Sequence, residues 1–593
     1  MSNEQTALTR EVEADGMHIT FDEAICVSDG LILRANVFRP VGAGRWPVLL
    51  TYGPYGKDLA FQDGYGDQWR LMTTSFPEIA AGSTNKYQNW EVVDPEKWVP
   101  LGYVCVRVDS RGAGRSPGKL DAFSPQETQD LYDCIEWAAA EPWSNGKVGL
   151  NGISYYAINQ WQVAALQPPH LAAICPWEGA ADHYREISYH GGIPSRFAAL
   201  WFPEQIVSVQ HGVGERGPRS AVTGDLVAGP EKLTEEDLAA NRVDLGPAVA
   251  DHPLDDEFHR ARSPDWSRVA VPILSSANWG GQGLHPRGNY EGYMRAASRE
   301  KWLEVHGLEH WTHFYTDYGR DLQRRFFDHF LKGDSSGWGT QPPVLLQVRH
   351  VGPRFVEREE NEWPLARTLW TKFYIDAADG SLSPSIPMAS SQQTYDGLGD
   401  GIEFSTTPFE AETEITGPLA ATLYISSGTS DADVFVIVRL LDPAGDEVTF
   451  QGANDPHTPI AQGWLRASHR KLDESLSTEW RPYHPHDEIE PLTPDEVYRL
   501  DIEIWPTSIV VPAGYRIAVR VQGTDYDYGG PPVNIGWFVM TGCGPFPHDV
   551  AAQRPADIYG GRVTVHAGPD HPSHLIVPVV PARDIETLSG SPR

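Results

Sequence analysis

Cysteine is scarce in this chain, with five in 593 residues at positions 26, 105, 134, 175 and 543. An odd, scattered set of this kind excludes a disulfide framework and fits buried thiols in a reducing compartment. Long apolar runs are missing as well. No stretch reaches the ~18 residues that a membrane span needs. The N-terminal MSNEQTALTREVEADG has no apolar core for a secretory leader. Basic residues are outnumbered, 47 Lys and Arg against 80 Asp and Glu, for a formal charge of −33. That balance excludes the basic surface required by nucleic acid or an anionic membrane. The expectation is a cytoplasmic protein with a solvated acidic surface and neither a membrane nor a nucleic-acid partner. A homo-oligomer is compatible with it.

What is present is enough apolar and aromatic material, 40% and 11%, to bury large cores. The length suits about three or four domains at ~150 residues each. Residues 18–40 alternate apolar and polar around Gly30, as in an antiparallel hairpin. WPVLLTY (Trp46–Tyr52) and GYVCVRVD (Gly102–Asp109) are near-continuous apolar runs of the kind buried in a parallel sheet. Between them, residues 57–95 read as a long aromatic loop. The glycine-rich turn at 110–118 lacks the Gly-Lys-Ser/Thr ending of a phosphate loop and the spacing of a dinucleotide fingerprint, so no nucleotide cofactor is expected.

Helix-like Gln126–Ala140, a strand, helix-like Ala157–Leu166 and strand-like Leu171–Pro176 follow. Such alternation predicts a doubly wound α/β sheet, with its ligands at the carboxyl ends of the strands. The rhythm stops from about 180 to 262, a charged, Gly/Pro-rich segment with helical pieces such as Glu231–Asn241. It resumes at Val271–Ala277 and Trp302–Val305 and closes on a helix over Leu322–Leu331. After about 340, short alternating runs such as Thr422–Ile425, Val434–Leu440, Tyr498–Ile504 and Tyr515–Val521 are separated by turn residues, the pattern of an all-β sandwich or jelly roll. No internal repeat occurs. The chain therefore divides into an α/β domain over 1–179 and 263–338, an inserted helical cap over 180–262, and a β domain over 339–593.

The chemistry centres on Lys147–Ala157, KVGLNGISYYA. A strand that turns sharply at Asn151-Gly152 and runs into a helix is the setting of a nucleophile elbow. Ser154 stands at its tip, where the helix N-terminus offers N–H groups to a developing oxyanion. The general pattern is G-x-S-x-G, and Tyr156 replaces its last glycine. Serine chemistry also needs a histidine base, which in α/β-hydrolases follows the last strand. His310, in LEVHGLEHW, holds that place. His306, His310 and His313 also read as a metal cluster, but no zinc signature accompanies them and no metal is expected.

With these residues in view, the chain resembles the cocaine esterase/nonactate hydrolase family, related to X-Pro dipeptidyl-peptidases and α-amino-acid ester hydrolases. The resemblance rests on Gly53-Pro54-Tyr55, Asp109-Ser110-Arg111-Gly112 with Gly114 and Ser116, Gly152-Ile153-Ser154-Tyr155, and LEVHGLEH ending at His310, and it covers nearly the whole length. The family's elbow reads G-x-S-Y, which accommodates Tyr156. The resemblance implies an α/β-hydrolase domain, a helical cap and a C-terminal jelly roll. It makes Ser154 the nucleophile and His310 the base, with the Tyr55 hydroxyl and the Tyr155 backbone N–H as the oxyanion hole.

The family's acid is an aspartate in a Trp-x-Asp context after the strand equivalent to Val271–Ala277. Here that loop is Asn278-Trp279-Gly280-Gly281-Gln282-Gly283, with Gly281 in the acid's place. Its three glycines are expected to leave open space beside the histidine loop. Some hydrolases of this fold carry the acid one strand earlier, which here means Glu178, with Asp182 in reserve. Glu178 reads equally well as a carboxylate at a helix N-terminus. A third arrangement has no acid, with Asn278 or water orienting His310. The expected substrate is a small-molecule ester, cleaved through an acyl-enzyme. The alternatives are an amide hydrolase (an X-Pro dipeptidyl peptidase or an acylase) and a binding protein on a degraded hydrolase fold. A peptidase that holds a free amine would draw on Glu186, Asp251, Asp255, Asp256 or Glu257.

Overall fold

The computed structural model describes residues 8–335, 337–536 and 538–582. The first seven residues, which belong to the stretch that bears on a secretory leader, lie outside them, as do the last eleven.

Strands β1 (Arg10–Ala14), β2 (Met17–Cys26) and β3 (Ile32–Pro40) form antiparallel pairs, and β3 pairs with the first of a run of parallel strands. That run contains β4 (Trp46–Gly53), β5 (Val104–Asp109), β6 (Ser144–Ile153), β7 (Leu171–Trp177), β8 (Ile273–Asn278), β9 (Lys301–His306) and β10 (Val344–His350). Its spatial order is β5-β4-β6-β7-β8-β9-β10. The chain order reverses around β4, so the carboxyl ends of β4, β6, β7 and β8 open side by side. A ligand crevice forms at such an edge.

The apolar runs pack as a strand buried on both faces must. Leu49 joins one apolar cluster, and its neighbour Leu50 joins the cluster on the opposite face. Helix α1 (Pro125–Ala140) covers the second face with Leu131, Cys134, Ile135 and Ala138. Ser124 caps it, accepting from the Glu127 N–H, and Pro125 occupies the first turn, where no donor is needed. Helix α2 (Tyr155–Leu166) is buried on nearly every side and lies between β6 and the following strand. Helix α3 (Pro286–Arg295) packs beside β8 and β9, and helix α4 (Asp317–Phe327) covers the opposite face, with Leu322, Phe326 and Phe327 in the cluster that holds Leu49.

The loop reading of 57–95 is corrected, because Phe61–Gly64 and Gly66–Ser75 are helical. Gly66, Thr73 and Thr74 are poor helix formers, and only Gln68 and Met72 of the longer helix are buried, so the periodic signal was faint. Residues 180–262 hold short helices such as Phe197–Trp201, Glu235–Ala240 and Leu245–Ala250.

From β10 onward the chain is β-rich. Thr413–Ser427 pairs antiparallel with Tyr498–Val511, and Asp433–Leu441 with Arg516–Gln522. Ile415, Leu423, Val436, Ile502 and Val519 belong to a separate apolar core in this region. Among the described residues no helix is long and apolar enough to cross a membrane, and all five cysteines are free thiols.

Candidate active site

Ser154 sits between β6 and α2 with φ +56° and ψ −115°, a conformation that a non-glycine residue adopts only under strain. The turn closes because its neighbours are small. A Cβ on Gly152 would lie 2.5 Å from the Tyr156 Cβ. The last glycine of the general motif is dispensable because Tyr156 turns its ring onto Gly53, where a Cβ would come within 2.5 Å of it. The Ser154 N–H donates to the carbonyls of Trp177 and Glu178, each at 3.2 Å, tying the elbow to the end of β7.

Glu178 follows β7 with φ +47°, fully buried. Its Oε2 lies 2.7 Å from His310 Nδ1. Its Oε1 accepts from Asn278 Nδ2 at 3.2 Å and meets His306 Nε2 at 3.0 Å. Burial alone would raise this carboxyl, but the two histidines overcome it and hold it down to about 2. Burial would likewise lower the histidines, and the carboxylates reverse it. His310 is lifted to about 10, chiefly by Glu178 and then by Glu91, and His306 to about 9 by Glu304 and Glu178.

Asp182 is elsewhere. It caps the Tyr184 and Arg185 N–H groups and pairs with the Arg185 guanidinium at 2.9 Å. Asn278 does not orient His310 either. It donates to Glu178 and to the Leu308 carbonyl, and its Oδ1 accepts from the Gly280 N–H.

The expected contact between Ser154 and His310 is not the one formed. Ser154 Oγ lies 3.0 Å from Nε2 of His285, and His310 Nε2 faces Glu91 Oε1 at 3.1 Å. The rings of His285 and His310 stack at 4.4 Å. Among the described residues the buried His285 Nδ1 has no hydrogen-bond partner, and burial, aided by the charge of His310, drives its proton affinity far down. His285 and Glu91 were missed in the sequence because neither belongs to a motif. The one available signal was a histidine four residues after Gly281, in the loop that lacks its acid.

The three loop glycines do not leave open space. A Cβ on Gly280 would approach the Gly452 Cα at 2.4 Å, and one on Gly283 would meet the Phe546 ring at 2.7 Å. The C-terminal region packs into this loop, and small residues are what permit it.

Tyr55 and Ser154 line one cleft, together with Glu91, His285 and His310. The Tyr55 hydroxyl accepts from the Trp201 indole N–H at 3.2 Å, which leaves its own proton to donate. Burial raises its proton affinity well above the ordinary value, so it remains a donor at working pH. Tyr155 is the first residue of α2, and its N–H has no intrahelical acceptor. The cleft is finished by Phe197 and Trp201 from the 180–262 segment and by Asn454, Phe538 and Phe546 from the C-terminal region. None of Glu186, Asp251, Asp255, Asp256 and Glu257 lines it. Glu186 pairs with Arg287 and Asp255 with Arg185.

A ligand atom from each of Glu178, His285 and His310 falls within 4.8 Å of the others. A shared metal ion would have to lie in the plane of both imidazoles. These rings are stacked 18° from parallel, and Glu178 is already bonded to His310 Nδ1, so the donor set fits a hydrogen-bonded network better than a metal centre. His306, from the other histidine trio, has both ring nitrogens on carboxylates, and among the described residues neither ring nitrogen of His313 has a hydrogen-bond partner.

A parallel sheet with a strained serine elbow at its carboxyl edge, backed by buried histidines and carboxylates, places this chain among the hydrolases. Residues 29–315 match the X-Pro dipeptidyl-peptidase (S15 family) model, and residues 336–576 match the X-Pro dipeptidyl-peptidase C-terminal non-catalytic domain. The structure superposes on a CocE/NonD family hydrolase from Staphylococcus aureus with a TM-score of 0.81 and 32% identity, covering 96% of this chain and 97% of that one. Cocaine esterase of Rhodococcus sp. is 24% identical, covering 93% of this chain and 97% of its own length. An α-amino-acid ester hydrolase shares the fold, with a TM-score of 0.64 at 18% identity over 96% of this chain and 98% of that one. The chain belongs to the CocE/NonD family of hydrolases.

Proposed function

We propose that this protein is a serine hydrolase that cleaves small-molecule esters through an acyl-enzyme, with an α/β-hydrolase domain over 1–179 and 263–338, a cap over 180–262 and a C-terminal jelly roll. The cocaine esterase relative supports an ester substrate. Ser154 is the nucleophile, His310 the base and Glu178 the acid. Glu178 carries the reading, because a buried carboxylate at 2.7 Å from Nδ1 fixes the tautomer of His310 and stabilises its imidazolium.

In the first step Ser154 Oγ bonds to the ester carbonyl carbon as its proton passes to His310 Nε2. For this, Nε2 must exchange Glu91 for the serine hydroxyl. The Tyr55 hydroxyl and Tyr155 N–H receive the negative oxygen. The alcohol leaves with the proton from His310. Water then attacks the acyl-enzyme by the same route, releasing the acid and restoring Ser154.

The contact between Ser154 and His285 favours a second reading, with His285 as the base. Its Nδ1 lacks the counter-charge an imidazolium needs, which supports His310 instead. Amide cleavage with capture of a free amine is less well supported, because the acidic residues expected to hold the amine are outside the cleft. Free thiols support a reducing, cytoplasmic setting.

Labelling by a fluorophosphonate probe, lost in Ser154→Ala, tests the nucleophile. Turnover of p-nitrophenyl esters against aminoacyl-proline anilides tests the substrate class. An unlabelled chain that turns over neither would leave the degraded-hydrolase reading standing.

A further inference from the structure

Glu91 is a carboxylate the reaction does not use, yet it stands at the atom the reaction needs most. Its side chain is buried, with Oε1 3.1 Å from His310 Nε2. Its backbone is strained, with φ +62°, positive as at Ser154 and Glu178. Its carbonyl accepts from the Ile153 N–H at 3.0 Å, so Glu91 is fastened to the residue before the nucleophile. Strain in a buried acid bound to the elbow persists only where the surrounding structure enforces it.

We propose that Glu91 is a positioning residue for the serine reaction: its carboxylate holds His310 Nε2 off Ser154, and its charge sets the pH at which His310 is free to act as base. The proposal rests on the assignment of Ser154, His310 and Glu178 above. A histidine between two carboxylates is favoured as the imidazolium, which cannot accept a proton from serine. Activity then rises as His310 loses its proton, and removing one carboxylate lets that happen at lower pH.

The groups facing this pair are carboxylates, imidazoles and neutral phenols. His310 meets Glu178 from the end of β7, Glu91 from the 57–95 segment and the His285 ring from the start of α3, with His306 behind Glu178. Glu91 is surrounded by Tyr55, Tyr65, Tyr156 and Tyr315, whose burial keeps them protonated, and by Glu178, whose charge opposes its own. Among the described residues His310 is its cationic partner, and burial lifts Glu91 itself to about 7.

The test is the pH profile of kcat/KM for p-nitrophenyl acetate, with fluorophosphonate labelling run in parallel. In Glu91→Gln the acidic limb should move to lower pH by roughly 1–3 units, the usual effect of a charge at this range. The high-pH plateau is read separately from the limb, because Glu91 also competes with Ser154 for Nε2. Glu91→Asp, which keeps the charge but draws it back from Nε2, should move the limb the same way by less, and serves if the Gln variant does not fold. A limb unmoved in a folded variant overturns the proposal, as does a lower plateau on an unmoved limb, which would make Glu91 a substrate contact. If the wild-type chain neither labels nor turns over ester, the serine esterase assignment fails and takes this proposal with it. A labelled, active wild type with an unmoved limb sinks only Glu91.

Discussion

The backbone N–H of His310 donates to the carbonyl of Ala453 at 2.9 Å, and the Ala453 N–H donates to Gly280 at 3.0 Å. The C-terminal region therefore pins both loops that flank the serine. Gly280→Ala should show this coupling. Its Cβ would meet backbone that cannot swing away, and overpacking of this kind costs about 1–3 kcal/mol. A lowered Tm together with a lowered kcat is expected. Wild-type kcat in that variant would disconnect the C-terminal region from catalysis.

Ser154→Ala should abolish turnover and leave the fold intact, as checked by an unchanged melting curve. His310→Ala should be nearly as damaging, since members of a catalytic unit fail together. His285→Ala should retain much more activity. Equal losses in the two histidine variants would favour His285 as the base.

Glu178→Gln should cut kcat steeply, by up to about 10⁴ where loss of the acid leaves the histidine in the wrong tautomer. Asp182→Asn should spare kcat but lower Tm, because it weakens a helix cap and the pair with Arg185. The outcome to watch for is the reverse order of the two kcat values.

Tyr55→Phe removes a donor aimed at charge that exists only in the transition state. A loss of about 10²–10³ in kcat with little change in KM is expected. A change in KM alone would place the oxyanion hole elsewhere.

Stability should peak in mildly acidic solution. Glu178 lies at about 2 in the folded chain against an ordinary 4.5, so its contribution is present above pH 4.5 and lost as pH falls toward 2. His306 and His310 lie at about 9 and 10 against an ordinary 6.5, so theirs is present below 6.5 and lost as pH rises through 9 and 10. Tm measured across pH should fall on both sides of a window near 4.5–6.5, and Glu178→Gln should flatten the curve. An equally sharp maximum in that variant would place the linkage in other groups.

Near neighbours in the chain set everything that can be read from the residues alone. The apolar runs at Trp46–Gly53 and Val104–Asp109 had to be parallel strands buried on both faces, because no polar face alternates with the apolar one. Gly152 and Ser154 marked a strained strand-to-helix turn, and the missing carboxylate at Gly281 turned attention to Glu178. The remainder is set by contacts between distant segments. Glu91 and His310 are 219 positions apart, and Ser154 and His285 are 131 apart, so no local spacing could pair them. The glycines at 280 and 283 read as empty space because their occupants, Gly452 and Phe546, come from another part of the chain. Short-range patterns follow from backbone geometry and burial of a face. Which nitrogen of a buried histidine meets which carboxylate follows from how separate segments pack, and packing is known only once the chain has folded.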